Sequence, residues 1–390
     1  MPSYLLRFDI LGIPTTALEV LIYTMFFVFA LSLFFDKEKT KAGRLKTAFL
    51  QNKTIFFGIS LFVLGAFFAS AISQDPRVSF GLFKAYFFDP LIFLAVFISV
   101  VSKDNIKPVF ASFLASGVVL SVISIFGTTT YDGRLQGFFN SPNFLAMSLS
   151  PVLLAFFALF LNSERMKYLY LFLFFVVSIP FFLTYSFGAF FGVFVAMFFI
   201  IFLSEKPLKF KVFLAMSIFI LAASLFLFQA ESKKAQDLLS LDARSSFASR
   251  EMIWRASYEI LKDNYVFGIG PGMFQKYYLD YQKKFDEPYL EWAVPHPHNI
   301  FLAFWLQNGI IGLFGFLIIL FFVFKGSLSL TKNKDFQFKS AEIFLLAFFA
   351  YFVVHGIIDT PYWKNDLALT FFLFLGVVLI LKSRFSNQKS

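Results

Sequence analysis

The chain has no cysteine among its 390 residues. That excludes disulfides and thiolate chemistry, whether as metal ligand or as nucleophile, and leaves the compartment open. Histidine is nearly as scarce, at three residues. Charged residues make up only 15%, too few to clothe a soluble domain of this length. Strict alternation of apolar and polar residues is missing as well, which excludes a β-barrel. There is no internal repeat and no low-complexity tail. The first residues lack a basic segment leading into a cleavage site, so no removable signal peptide is expected.

What is there is hydrophobic: 58% of residues, with mean hydropathy +0.74. The apolar residues come in blocks close to the roughly 20 residues that cross a bilayer. The sequence therefore reads as an all-α polytopic membrane protein. About eleven spans are predicted, at roughly 16–35, 55–73, 83–101, 108–127, 143–161, 168–185, 187–204, 211–229, 298–324, 341–359 and 366–382. The 65 phenylalanines read as generic lipid-facing filler. Residues 1–15 are too short and broken to span; either a first helix is missing or the segment lies in the interface.

The net charge of +10 is spread over many short loops, so it reads as topology and not as a nucleic-acid patch. One alternate set of loops carries Lys and Arg at 37–53, 103–107, 165–167, 206–211, 325–339 and 382–389. The other set, apart from one long loop, carries only Arg7, Arg77, Lys84, Arg134 and Lys364. The positive-inside rule puts the first set in the cytoplasm. Three regions follow: N-terminal membrane helices at 1–229, a large extracytoplasmic loop at 230–297, and C-terminal membrane helices at 298–390. Within the loop, Ser246 or Ser249 caps a predicted helix running to about Asp263. Arg250, Trp254, Ser257 and Leu261 share its face. The run Gly268-Ile269-Gly270-Pro271-Gly272 breaks that helix. It is a turn and not a nucleotide loop, since no strand precedes it and no Lys-Ser/Thr follows. A second amphipathic helix is predicted over 273–285, with Tyr277, Tyr278 and Tyr281.

Two of the three histidines stand in Pro295-His296-Pro297-His298-Asn299, where the long loop meets a span. Imidazole is the side chain that titrates near neutrality, so a histidine at a helix mouth suits proton transfer. On the same predicted side lie Arg134, Arg250, His355 and Asp359. Arginine's planar fork matches phosphate oxygens and stays charged in low dielectric. Arginines with one histidine and one carboxylate fit a lipid pyrophosphate: the arginines hold the leaving group and the imidazole activates a nucleophile. His296, between two prolines, reads as structural. A metal held by His296 and His298 is a weak alternative, because no acidic or thiol partner stands at ligand spacing.

These motifs resemble the O-antigen ligase superfamily of O-antigen ligases, Wzy-type polymerases and bacterial O-oligosaccharyltransferases. The resemblance rests on His298-Asn299 with Gly309 and Gly312, on Arg250 to Trp254 followed by Gly268 to Gly272, on Arg134 to Asn143, and on Asp359-Thr360-Pro361. It implies an enzyme with no metal and no nucleotide cofactor. Such an enzyme takes a glycan from an undecaprenyl-pyrophosphate carrier at the outer face of the cytoplasmic (inner) membrane. It passes the glycan, with inversion, to a hydroxyl of a lipid, glycan or protein acceptor. Carried over, His298, Arg250 and Asp359 are the catalytic group. Arg134, Asn143, Asn299, Trp254 and Arg77 are the candidates for binding substrate. Membrane lipids are partners and nucleic acid is not.

One departure stands out. Where the family often has Ser-x-Ser-Arg-Gly, this chain reads Thr184-Tyr185-Ser186-Phe187-Gly188. The phosphate contact of that arginine must then come from elsewhere, from Arg134, Arg77 or Lys364, or the activity is altered. Ligase and polymerase share donor and site. A transporter of lipid-linked glycans is the rival from another class, but it should place ionisable residues at mid-membrane in paired halves. An inactive scaffold is the third reading, kept open by Phe187.

Overall fold

A computed structural model describes residues 5–10, 13–36, 39–228, 246–285, 294–331 and 339–383. Parts of the long loop (230–245 and 286–293), and Lys37, Lys332, Lys334, Arg384 and Lys389 among the basic residues used for orientation, lie outside the described residues.

The described chain is helical throughout, apart from two small hairpins. Strands β1 (Arg7–Ile10) and β2 (Ile13–Thr16) pair antiparallel and lead into α1 (Ala17–Phe34), capped by the Thr16 hydroxyl on the Glu19 amide at 3.3 Å. The stretch read from sequence as a non-spanning start is this hairpin. Next come α2 (Thr40–Gln51), α3 (Lys53–Ala71), α4 (Pro76–Phe83), a π-helical turn at Lys84–Phe88, and α5 (Asp89–Val100). The third predicted span therefore begins earlier than expected. Pro76 sits in the first turn and the Asp75 carboxylate accepts from the Val78 amide at 3.1 Å, so the helix is initiated there. The polar stretch before 53 was read as loop. It folds as α2 because Leu45 and Ala48 fall on one helical face and bury against the bundle.

The chain continues with α6 (Ile106–Ser124), the hairpin β3 (Thr128–Thr129) and β4 (Leu135–Gly137), α7 (Pro142–Asn162), α8 (Lys167–Leu183), α9 (Phe187–Leu203) and α10 (Leu208–Phe228). The long loop contributes α11 (Ser246–Asn264) and α12 (Phe274–Tyr281). The last helices are α13 (Ile300–Thr331), α14 (Lys339–Gly356) and α15 (Asn365–Lys382). Among the described residues, eight helical stretches are long and apolar enough to cross a membrane, and α8 and α9 are shorter apolar helices. The fold is all-α and polytopic. Helices α7, α14 and α15 are mostly buried and form the centre, whereas α1 is mostly exposed to its surroundings.

Two features of the packing position the site. The first is the close approach of α3 and α13. A Cβ added to Gly65 would lie 2.4 Å from the Gly312 amide nitrogen, and one added to Gly315 would lie 2.3 Å from that of Phe62. With no hydrophobic drive between helices in lipid, small residues let the backbones touch and dispersion do the holding. The second is a break inside α13 at Gly309, with φ 67° and ψ −179°. The backbone groups freed there are taken by the turn after α11: the Ile310 amide donates to the Val266 carbonyl at 3.0 Å, and the Ile269 amide to that of Leu306 at 2.6 Å. Irregular backbone at membrane depth survives where protein satisfies it. The glycine run 268–272 is a turn, as read: Gly268, Gly270 and Gly272 all have positive φ.

The loop helices carry a small core of their own. Ile253, Ile260 and Leu261 of α11 pack with Phe274 and Tyr278 of α12, and Leu306 of α13 closes it from below.

Candidate active site

The site forms where five separate segments converge. His298 ends the long loop with φ 47°, a left-handed conformation uncommon for a side chain of this size. Asn299 follows as the cap of α13: its Oδ1 accepts from the amides of Phe301 and Leu302, each at 3.0 Å, and its Nδ2 donates to the Ile357 carbonyl at 3.0 Å. The helix start thus fixes the backbone of the adjacent histidine.

His298 Nδ1 lies 3.1 Å from Asp359 Oδ1. Asp359 follows the last turn of α14 and is 4% exposed. The Thr360 amide donates to its Oδ1 at 2.8 Å, and Asn143 Nδ2 donates to its Oδ2 at 3.0 Å. His355 Nε2, fully buried one turn earlier, stands 4.0 Å from the same Oδ2, and its Nδ1 pairs with the Tyr351 hydroxyl at 2.8 Å. Burial pushes the Asp359 carboxyl up. The hydrogen bond with His298, and the neighbouring His298, His355 and Arg250, outweigh it, so the carboxyl falls below the usual carboxylate range. An ionised Asp359 makes His298 Nδ1 the protonated nitrogen and leaves Nε2 as the acceptor.

Arginines flank this pair. Arg134, between β3 and β4, donates from NH2 to Asn143 Oδ1 at 2.9 Å and from Nε to the Thr184 carbonyl at 2.9 Å. Asn143 Oδ1 also accepts from Ser186 Oγ at 3.1 Å. Burial pulls the Arg134 guanidinium down from its ordinary value; Asp132 and Asp359 push it back up, and Arg250 opposes them. Arg250 donates from Nε to the Ile358 carbonyl at 3.1 Å, and one turn on, Trp254 Nε1 donates to the Pro297 carbonyl at 2.9 Å. One face of α11 therefore clamps both the Asp359 segment and the His298 segment. That is the physical content of an arginine and a tryptophan four residues apart.

Of the candidates read from sequence, the structure brings together His298, Asp359, Asn143, Arg134 and Arg250. Trp254 and Asn299 stand beside them and hydrogen-bond the backbone of the Pro297 and Ile357 segments. Arg77 is exposed in the first turn of α4, and no hydrogen bond or ion pair joins it to the others among the described residues. Sequence reasoning placed His355 at the same helix end but gave it no role. Its spacing of four from Asp359 was the available signal. Ser186 and the Thr184 carbonyl were not among the candidates, although their segment stood out for the arginine it lacks.

Residues 171–317 match the family model of the O-antigen ligase (Wzy_C). This segment, somewhat over a third of the chain, is similar to the O-antigen ligase family and supports a place in that superfamily. No curated protein matches the chain. The matched ligase segment contains Phe187, Arg250, Trp254, His298 and the Gly309–Gly312 pair, whereas Arg134, Asn143, His355 and Asp359 lie outside it. The match supports a membrane enzyme of the O-antigen ligase and polymerase type, and the motif residues inside it meet partners from both flanks.

His296 packs near Phe144 and His298, with ring centroids at 6.4 and 6.2 Å. Burial lowers its pKa to about 3, helped by His298 and Lys364 and opposed by Asp359. The unfolded chain, with an ordinary histidine, binds more protons between those values. The contribution to stability is therefore full above about pH 6.5 and declines as pH falls toward about 3. A His296→Gln variant is expected to lose less stability on acidification, by an amount on the order of 2 kcal/mol at about pH 5. Thermal unfolding in detergent at two pH values measures it; an unchanged pH dependence would contradict the neutral, half-buried assignment.

Proposed function

We propose that the protein transfers a glycan from an undecaprenyl-pyrophosphate carrier to an acceptor hydroxyl at the outer face of the cytoplasmic membrane. The observation that carries this reading is the His298–Asp359 pair, with Arg134 and Arg250 beside it. His298 Nε2 takes the proton of the acceptor hydroxyl as its oxygen attacks the anomeric carbon. The bond to the pyrophosphate oxygen breaks on the opposite side, which inverts the centre. Asp359 holds the imidazole in the required tautomer and stabilises the imidazolium that forms. The arginines take up the charge that develops on the departing pyrophosphate.

Phe187 does not empty the site of a second cation under this reading. Arg134, from the β3–β4 hairpin, donates to the Thr184 carbonyl, three residues before Phe187, and so brings a guanidinium to that segment. This favours an active enzyme over a scaffold. The clustering of His298, Asp359 and both arginines at one end of the bundle likewise favours transfer over transport.

The test uses purified protein, a short glycan on undecaprenyl pyrophosphate, and candidate lipid, glycan and protein acceptors. One added block marks a ligase and a ladder marks a polymerase. Arg250→Ala is expected to weaken donor use about 100-fold or more in kcat/KM. Wild-type protein that binds the donor and yields no product with any acceptor would sink the enzymatic reading.

A further inference from the structure

At the end of the bundle remote from His298, α3 begins, α13 nears its end and α15 ends. A cavity of about 300 Å³ opens between them. It is lined by Lys53, Lys325 and Lys382, by Asn52 and Ser329, and by the ring of Phe322. Among the described residues, no acidic one lines it. No salt bridge or hydrogen bond engages any of the three ammonium groups among the described residues, although acid–base pairs form elsewhere in the chain, as between Lys84 and Glu19. Lys382 is half-buried and its stem lies on Gly326, where an added Cβ would meet Cδ at 2.8 Å and Nζ at 3.2 Å. Its head is thereby held at the cavity wall instead of reaching freely into solvent. The same mouth receives the start of α3, whose cap Asn52 turns its Nδ2 back to the Ala48 carbonyl at 3.0 Å and makes no side-chain bond to the first-turn amides. That helix end adds partial positive charge.

Three cations converging without a carboxylate are a costly arrangement unless an anion completes it. The wall is not uniformly polar. Ile55 and Phe322 line it, and Phe57 and Phe321 are exposed nearby on α3 and α13. A free phosphate has no use for that apolar flank, whereas a phosphodiester with acyl chains has. Under the orientation read from the basic loops, the cavity faces the cytoplasmic leaflet, where anionic lipids reside. We infer that this pocket is a site for one anionic phospholipid, its phosphate on Lys53, Lys325 and Lys382 and its chains along Phe322. Its effect would be to tie together the remote ends of the two helices, α3 and α13, whose other ends position the site.

The test is thermal unfolding and native mass spectrometry of delipidated protein. Phosphatidylglycerol, phosphatidylcholine and inorganic phosphate are added separately. Phosphatidylglycerol is expected to be retained as one molecule per chain and to raise the unfolding temperature by several degrees, with phosphatidylcholine doing neither. The triple variant Lys53→Gln, Lys325→Gln, Lys382→Gln should lose both effects, and the exposed Lys325→Gln alone should weaken retention about tenfold should the triple variant fail to fold. Equal stabilisation by inorganic phosphate would replace the lipid with a free anion and overturn the assignment. Retention that is indifferent to the lysines, or to the headgroup, would overturn it too.

Discussion

His298→Asn is expected to lower the rate of glycan transfer by about 10³-fold, the usual contribution of a positioned general base. Asparagine is the informative replacement because His298 has φ 47°. Asparagine adopts that left-handed conformation more readily than alanine does, so the backbone persists while the proton acceptor is removed. The loss should fall on kcat, because the arginines that hold the donor are untouched and the base acts only as the acceptor's proton leaves. Donor binding and unfolding temperature should stay close to wild type. The measurement is single-turnover transfer beside a donor-binding assay. Activity within about tenfold of wild type would remove His298 from the chemistry and return the pair with Asp359 to a structural role.

The second large effect is on folding. Gly309→Ala is expected to cost roughly 3 kcal/mol or more. The backbone there, at φ 67° and ψ −179°, is accessible in practice to glycine alone, and the added methyl would lie 2.4 Å from the Val266 carbonyl oxygen. Neither the helix nor the turn can yield without losing the Ile310–Val266 and Ile269–Leu306 hydrogen bonds. Because that seam ties the turn after α11 to α13, His298 should lose its placement with it, and activity should fall with stability. Gly81→Ala is the control: nothing lies within 4 Å of its added Cβ, so the change should be neutral or slightly stabilising. Unfolding temperatures in one detergent decide it. A Gly309→Ala protein as stable as wild type would mean that the break in α13 relaxes freely.

Gly309 also shows what can be read before a structure exists. A glycine pair after His298 is visible as a pattern, but its reason is tertiary: Gly309 meets the loop and Gly312 meets α3. Arg250, Trp254 and His298 were legible because helical spacing and the end of an apolar run place them without knowledge of neighbours. The bond between Asn143 and Asp359 spans 216 residues, and nothing local in either segment announces the other. Asn299 was read as a substrate contact because an asparagine that caps a helix and one that meets a ligand look alike in sequence. Its Oδ1 caps α13 and one Nδ2 hydrogen goes to the Ile357 carbonyl. Arg77 was grouped with the site by side alone, which is a matter of topology and not of distance. The short hairpins escaped notice because strands of two to four residues leave no periodicity to find.

The hairpin that bears Arg134 has a consequence for how charge is distributed over such sites. A guanidinium on a helix can move only in steps of a turn, because its position is tied to the register of the whole helix. One carried between two strands of two and three residues can be re-aimed by a change in the hairpin alone, with no membrane span disturbed. An enzyme of this architecture can therefore carry phenylalanine at position 187 and still bring a guanidinium to that segment from the hairpin. Counting arginines at a fixed position would then score such a protein as defective, whereas counting them in space would not.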